Sequence, residues 1–407
     1  MGMIEGHMEI EPPVGVPVWD VDPYDPAILA NPNSYYAELR SKGPFAYIPK
    51  YSILACGRHD ETQEVFSDHA RFVSSRGVGL QDFRLEKPWR PQSLVVEADP
   101  PDHSKTRKVL VRALSPKATA ALRESFQIAA DKLIDDLLER KRFEAVEELA
   151  EAYPTSVFPP AVGLRDANRR YLVDYGAMVF NGMGPDNGLR RTAMAMGPQI
   201  VPWIAEQCQR KNLAPGGFAA TIFTAADTGE ITEHEAEMLV RSLLSAGVDT
   251  TVTGIGNALW CLASFPEQFE ILKQDPKLIR PAFEEVLRFT SPVHSFYRTA
   301  DVDTRVGGVD IVKGTKILCV LGAANGDERK WPGADEFDVT RRPAGHLAMG
   351  TGIHNCVGQN LARAEVGAVL TAIVNKVDSI DLTGTPEWRP NNAIHALHRL
   401  PIEMVGK

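Results

Sequence analysis

From Thr232 to Ser264 the chain reads as one long helix, and that run limits what it can fold into. Thr232 and Glu235 form a capping box at its start. Apolar residues then continue for about nine turns, roughly 49 Å at the standard rise. A helix this long and apolar must run through the middle of the molecule, with everything else packed around it. Its interior breaks a local rule. Ala246-Gly247-Val248-Asp249-Thr250-Thr251 sets Gly, Asp and two Thr side by side, poor helix formers that cost up to about 1 kcal/mol each. A buried Asp also needs a partner. Such a violation at mid-helix is where function is expected.

A second stretch has the same character. Met349-Gly350-Thr351-Gly352-Ile353-His354-Asn355-Cys356-Val357-Gly358 places one cysteine in a glycine-rich turn. A helical run, Gln359 to about Lys376, follows it. The glycines suit a tight turn that lets backbone approach a flat ligand. Sulfur at a helix N-terminus meets the positive end of the dipole, which favours thiolate. That thiolate suits a nucleophile or an axial iron ligand.

Composition removes several classes. The 407 residues carry a net charge of −9, which argues against nucleic acid as a partner. The five cysteines show no C-x-x-C, so neither a disulfide framework nor a zinc or iron–sulfur site is signalled. A reducing cytoplasm is the expected location. No run approaches the length of a membrane span. Met1 to about Met8 reads as an expression-tag remnant, leaving 9–407 as one domain, expected to be a monomer.

Along the chain, a helix at about Ser34–Lys42 precedes a hairpin, Phe45–Ile48 with Ser52–Cys56. Asp60–Ser67 reads as helical. Ser74–Glu97 is a long loop holding Arg76, Arg84, Trp89, Arg90 and Ser93, and a loop of this length is expected to be functional. A helix starts near Ala98–His103, placing His103 and Arg107 on one face. Helical runs follow at Ala118–Lys141, Asp166–Asn181 and Ala193–Arg210, the second broken by Gly182-Met183-Gly184-Pro185. Strands are expected at Ser291–Arg298, Arg305–Ile311 and Ile317–Leu321, with a β-like turn at Asn391–Pro401.

Gly350, Gly352, His354, Cys356, Gly358, Ala362 and Glu365 match the haem-binding signature of the cytochrome P450 family, which the chain resembles from residue 9 onward. Met349 departs from it, since the family usually has Phe there, and a shift in iron potential is the expected effect. The resemblance implies a mainly α fold with minor β, haem b lying between a large helical lobe and a small β-rich part. It implies Cys356 as the iron ligand and His103, Arg107 and Arg298 at the propionates. It sets His354, Ala246 and Gly247 against the cofactor as well. Asp249 and Thr250 become the acid–alcohol pair that activates O2. Glu285 and Arg288 become a buried brace with Arg341. Phe180 and Met183 end a roof helix, Val293 and Phe296 line the pocket, and Ala393–His395 is a tip that touches substrate. The chain shows no G-x-G-x-x-G and no cysteine cluster, so electrons must come from an external [2Fe-2S] ferredoxin with its NAD(P)H-dependent reductase. Lys105, Lys108 and Arg112 are the cations expected to face it.

The substrate expectation rests on one helix face. Ser242, Ala246 and Thr250 are spaced by four, a rise of ~12 Å from first to last. Arg241 adds positive charge, and Arg90 and Ser93 lie three apart in the long loop. Arg90, Ser93, Arg241 and Ser242 resemble the carboxylate site of bacterial family members that demethylate 4-methoxybenzoate, while Met183 stands where a phenyl ring is expected. A small para-substituted aromatic carboxylate is the implied substrate, hydroxylated or O-demethylated. The alternatives are an unrelated small apolar substrate, such as a terpenoid or fatty acid, and a haem-based sensor. A sensor would not need Asp249 and Thr250. A peroxide-using member would normally lack that pair.

Overall fold

The computed structural model describes residues 2–165 and 168–407. Its centre is the run identified above, in two pieces. One helix spans Glu233–Ala246 and a second Asp249–Ser264, so the single helix expected here is interrupted at Gly247-Val248. The capping box is present, with Thr232 Oγ1 accepting from Glu235 N and the Glu235 carboxylate accepting from Thr232 N. At the break a Cβ on Gly247 would lie 2.3 Å from the Phe158 ring, so only glycine admits that ring. Thr250 Oγ1 donates to Ala246 O at 2.6 Å and Thr251 Oγ1 to Gly247 O at 3.1 Å. Hydroxyls thus serve carbonyls at the interruption. Leu239, Val240, Leu244, Ile255 and Leu259 are fully buried. Each contributes ~1.5–3 kcal/mol of burial, enough to hold the run in place against its poor helix formers.

The two halves share the helix Arg169–Asn181 as a neighbour and otherwise differ. Glu233–Ala246 packs on helices Gly217–Asp227 and Arg169–Asn181, whereas Asp249–Ser264 packs on helices Ile279–Thr290 and Gln359–Lys376 and on the π-helical turn Val146–Glu151. The largest sheet among the described residues has five strands in the order Ala46–Ile48, Ile53–Cys56, Lys316–Cys319, Phe296–Ala300, Phe72–Val73. Only the Ile53–Cys56 and Lys316–Cys319 pair is parallel. Among the described residues no helix is long and apolar enough to cross a membrane.

Several boundaries differ from expectation. The run 118–141 divides into Pro116–Ala120 and Arg123–Arg140. The run 193–210 is the helix Gly197–Gln207, preceded by Gly188–Met194. The expected start at Asp166 lies outside the described residues, and the helix is observed from Arg169. Residues 305–311 form a hairpin, Thr304–Val306 with Val309–Ile311, because Gly307 and Gly308 turn the chain at positive φ. The strand expected from Ser291 begins at Phe296, since Ser291 caps the preceding helix in the left-handed region. Residues 3–8, set aside above, form a hairpin whose Gly6 O accepts from Asp82 N, with His7 buried.

Candidate active site

A cavity between the helical and sheet parts is lined by Cys356, Thr250, Ala246, Gly247, Ser242 and Arg298, among others. Gly350 and Gly352 take φ of 69° and 65° to shape the turn on its cysteine side. Cys356 N donates to Met349 O at 2.7 Å, closing that turn. The helix behind it starts at Gln359, so the sulfur stands just ahead of the first turn. Burial pushes the Cys356 thiol up, while the Gly358 amide, Arg107 and Arg363 pull it down. Without a bound metal, burial outweighs these pulls. A coordinated metal ion deprotonates such a thiol outright.

The rim fits a flat, apolar group bearing carboxylates. Arg298 is buried, its guanidinium 3.9 Å over the Phe66 ring and donating only to Tyr297 O among the described residues. Burial lowers its pKa to about 10. Arg107 donates to Asn355 Oδ1 and has no carboxylate partner among the described residues. The His103 and His354 rings lie 4.5 Å apart, and the Nε2 of each is buried without a hydrogen-bond partner. His354 Nε2 is 3.9 Å from Asp99 Oδ1, beyond hydrogen-bond reach. Buried cations and orphaned ring nitrogens at one edge call for anionic acceptors. Haem propionates would supply them, and Cys356 is the residue that would hold the iron.

On the opposite wall Thr250 faces the cavity, while Asp249 is buried behind it. Asp249 Oδ1 accepts from Arg389 Nη2 at 3.2 Å, and Oδ2 is buried without a partner. Gly176 makes this possible, because a Cβ there would lie 2.6 Å from Asp249 Cβ. Glu151 lies close by. Its pKa is raised by burial, and the Asp249 charge adds to that against the pull of Arg389. Arg389 was not singled out from the sequence. It sits on the strand Glu387–Arg389, far along the chain from its partner.

Below the cavity, Glu285 and Arg288 are completely buried. The Arg288 Nη2 to Glu285 Oε1 distance is 2.7 Å, and Arg341 Nε donates to the same oxygen at 3.0 Å. The three expected bracing residues therefore meet.

The substrate residues divide. Ser242, Phe180, Val293 and Phe296 line the cavity. Ser242 Oγ donates to Met238 O and lies 3.4 Å from Ser93 Oγ. Arg90 is not presented to the cavity, because it forms a two-pronged pair with Glu97, both contacts at 3.0 Å. Arg241 donates to the Pro91 and Gln92 carbonyls. Met183 packs beside Phe180 and Ile394, outside the lining, and its O accepts from Leu80 N. Ala393–His395 also lies behind the wall, where His395 stacks on Trp388. These groups were expected to touch substrate directly; each already has a protein partner.

A family model described as Cytochrome P450 matches residues 216–403. The Rhodopseudomonas palustris cytochrome P450 CYP199A2 is 49% identical over 391 residues, covering 96% of this chain and 95% of that protein. The chain belongs to the cytochrome P450 family. Among solved structures of the family, CYP109Q5 from Chondromyces apiculatus matches with TM-score 0.80 and 28% identity over 95% of this chain and 99% of that one. Cytochrome P450 CREJ in complex with (4-ethylphenyl) dihydrogen phosphate matches with TM-score 0.86 and 25% identity, covering 94% of this chain and 98% of that one.

This cytochrome P450 is therefore a monooxygenase that uses haem b and O2. When bound, the haem supplies O2 activation and transfer of one oxygen atom to the substrate, which a thiolate ligand favours. On the wall opposite the cysteine the geometry suits proton handling. The Thr250 hydroxyl, parked on Ala246 O, is free to turn its proton into the cavity. Asp249 is paired with Arg389, whose side chain is 30% exposed. A carboxylate that can leave one partner for another moves a proton inward without opening the cavity to bulk water. Thr250→Ala is expected to leave ligand binding within about two-fold and to lower product formed per NADH by on the order of ten-fold. The remaining reducing equivalents should appear as hydrogen peroxide. Unchanged coupling would remove this role from Thr250.

Proposed function

We propose that the enzyme hydroxylates or O-demethylates a small para-substituted aromatic carboxylate such as 4-methoxybenzoate, acting as a cytoplasmic monomer. The carrying observation is the polarity of the cavity's far end. With Thr250, Thr251 and the groups beside the cysteine and the propionates set aside, Ser242 is the polar residue left in the lining. Behind it lies Arg241, buried and with no carboxylate partner among the described residues. Arg90 and Glu97 cancel each other, so this end keeps one net positive charge. A ligand carboxylate can accept from Ser242, with Ser93 beside it, inside the field of Arg241. Phe180, Val293 and Phe296 offer flat apolar walls to a ring. The CREJ complex supports the reading, since that relative holds a para-alkylated aryl anion.

The test is a spin-state titration. The para acid should bind at least about ten-fold more tightly than 4-methoxybenzamide, since a hydrogen bond to a charged group contributes ~1.5–3 kcal/mol. The 3-methoxy isomer should shift the spin state less. Ser242→Ala should remove most of the difference between acid and amide. Arg90→Ala should also weaken the acid, by leaving Glu97 uncompensated next to Ser93, whose amide it already holds at 2.7 Å. Equal binding of acid and amide would leave a monooxygenase with an unrelated apolar substrate.

Electrons are proposed to come from a [2Fe-2S] ferredoxin served by an NAD(P)H-dependent reductase. Of the cations first assigned to its dock, Lys105 is paired with Glu235 and Arg112 with Glu230, while Lys108 is in no ion pair among the described residues. A groove beside the cysteine helix is the better surface. Arg123, Lys277 and Arg280 line it with no ion-pair partner among the described residues, and Arg363 lies at its inner end. Arg280→Glu is expected to raise the ferredoxin KM about ten-fold while ligand Kd stays constant, and Arg112→Glu about two-fold at most. The reverse ranking would return the dock to the 105–112 helix.

A further inference from the structure

Lys316 is a lysine without exposure. It sits in the middle of the five-stranded sheet, fully buried, and no carboxylate among the described residues pairs with it. The nearest acid, Asp82, is taken by Arg76. Its Nζ donates instead to three backbone carbonyls, Arg76 O at 3.1 Å, Gly77 O at 2.9 Å and Gly79 O at 3.0 Å. All three belong to one short stretch of the long loop. Among the described residues, Gly77 O and Gly79 O have no other donor. Burial lowers the pKa of this group to about 7; in its ammonium form it carries three protons, one for each of the three carbonyls.

That stretch is a wall of the cavity. Val78 lines it, and Val78 O accepts from Tyr297 N, between the lining residues Phe296 and Arg298. Two residues on, Leu80 N donates to Met183 O at the end of the roof helix. Gly79 lies so close to Met183 that a Cβ would come within 2.6 Å of its backbone oxygen. The loop therefore spans from sheet floor to helical roof, and Lys316 is its peg on the floor side.

We propose that Lys316 is a positioning residue for substrate, its ammonium pinning residues 76–79 so that Val78 closes the cavity wall and the loop holds the roof at Met183. The assignment rests on this cavity being the substrate site. It does not depend on the carboxylate reading. Without three donors at that point the carbonyls of Gly77 and Gly79 turn toward water, the wall loosens, and ligands that need it bind less well.

Two variants of the haem-loaded enzyme test it. Lys316→Met keeps the length and removes every donor; Lys316→Gln keeps two N–H donors without charge and serves if the first does not fold. Hydrogen exchange reads the loop with no substrate present. The amides of Gly77 and Leu80 should exchange at least about ten-fold faster in Lys316→Met, with those of Asp249–Ser264 unchanged. In spin-state titrations the Kd of 4-methoxybenzoate should rise about ten-fold or more, whereas imidazole, a small ligand of the iron, should change less than about two-fold. The CO-bound band should stay in place. Unchanged exchange at Gly77 and Leu80 in either folded variant overturns the assignment, and so does equal weakening of both ligands. Failure of the wild type to bind 4-methoxybenzoate overturns the substrate class alone, and the exchange result then decides for Lys316.

Discussion

Changing Cys356 to His is expected to move the CO-bound absorption band from the thiolate to the imidazole position. Turnover should fall by at least about a thousand-fold, ~4 kcal/mol of barrier. The other four cysteines, Cys56, Cys208, Cys261 and Cys319, are all buried away from the cavity lining, so none can take over. The five cysteines are free. Met349 touches the same space and fixes the Cys356 amide through its carbonyl, so the turn itself should survive the substitution. A band that stays where it was would mean that another residue holds the iron.

The second large effect is on stability. Glu285→Ala removes the acceptor shared by Arg288 and Arg341 and also by the Asp338 amide. Arg288 would remain completely buried with its charge uncompensated, a loss of ~3–5 kcal/mol from a total of about 5–15. Little haem-loaded protein should be recovered at 37 °C. Arg341 keeps contacts to the Pro332 and Gly333 carbonyls and is partly exposed, so Arg341→Ala should cost less, about 1–2 kcal/mol. Thermal unfolding of both variants checks the ranking. Normal loading and melting of Glu285→Ala would refute the bracing role.

What could be read from the chain alone was what lies close in sequence. The capping box of Thr232 and Glu235, the glycine turn around Cys356 and the pair Glu285–Arg288 each sit within a few residues, so spacing alone carries them. Even the interruption at Gly247-Val248 was half legible. Its residues were marked as poor helix formers, but whether packing would override propensity depends on the Phe158 ring, which nothing local announces. The hairpin 304–311 was missed because Gly307-Gly308 was not weighed as a turn. The substrate end was over-read. Arg90 looked like a free cation, yet Glu97, seven residues on in a loop without periodicity, takes it up. Arg389 and Lys316 gave no signal, because their partners are remote in sequence or are backbone carbonyls.

The interruption of the central helix has a consequence for how such an enzyme can diversify. Ser242 rides on a segment seated against the roof helices, while Asp249 and Thr250 open a separate segment seated mainly against the cysteine helix and the Glu285 helix, the roof helix Arg169–Asn181 touching both. A continuous rod would transmit any roll or slide of its substrate end to the threonine. A jointed one does not. Roof changes that keep Gly176 against Asp249 can therefore alter which molecules are admitted while the aim of the threonine stays fixed, whereas a shift of the helix Arg169–Asn181 itself reaches the oxygen-handling pair.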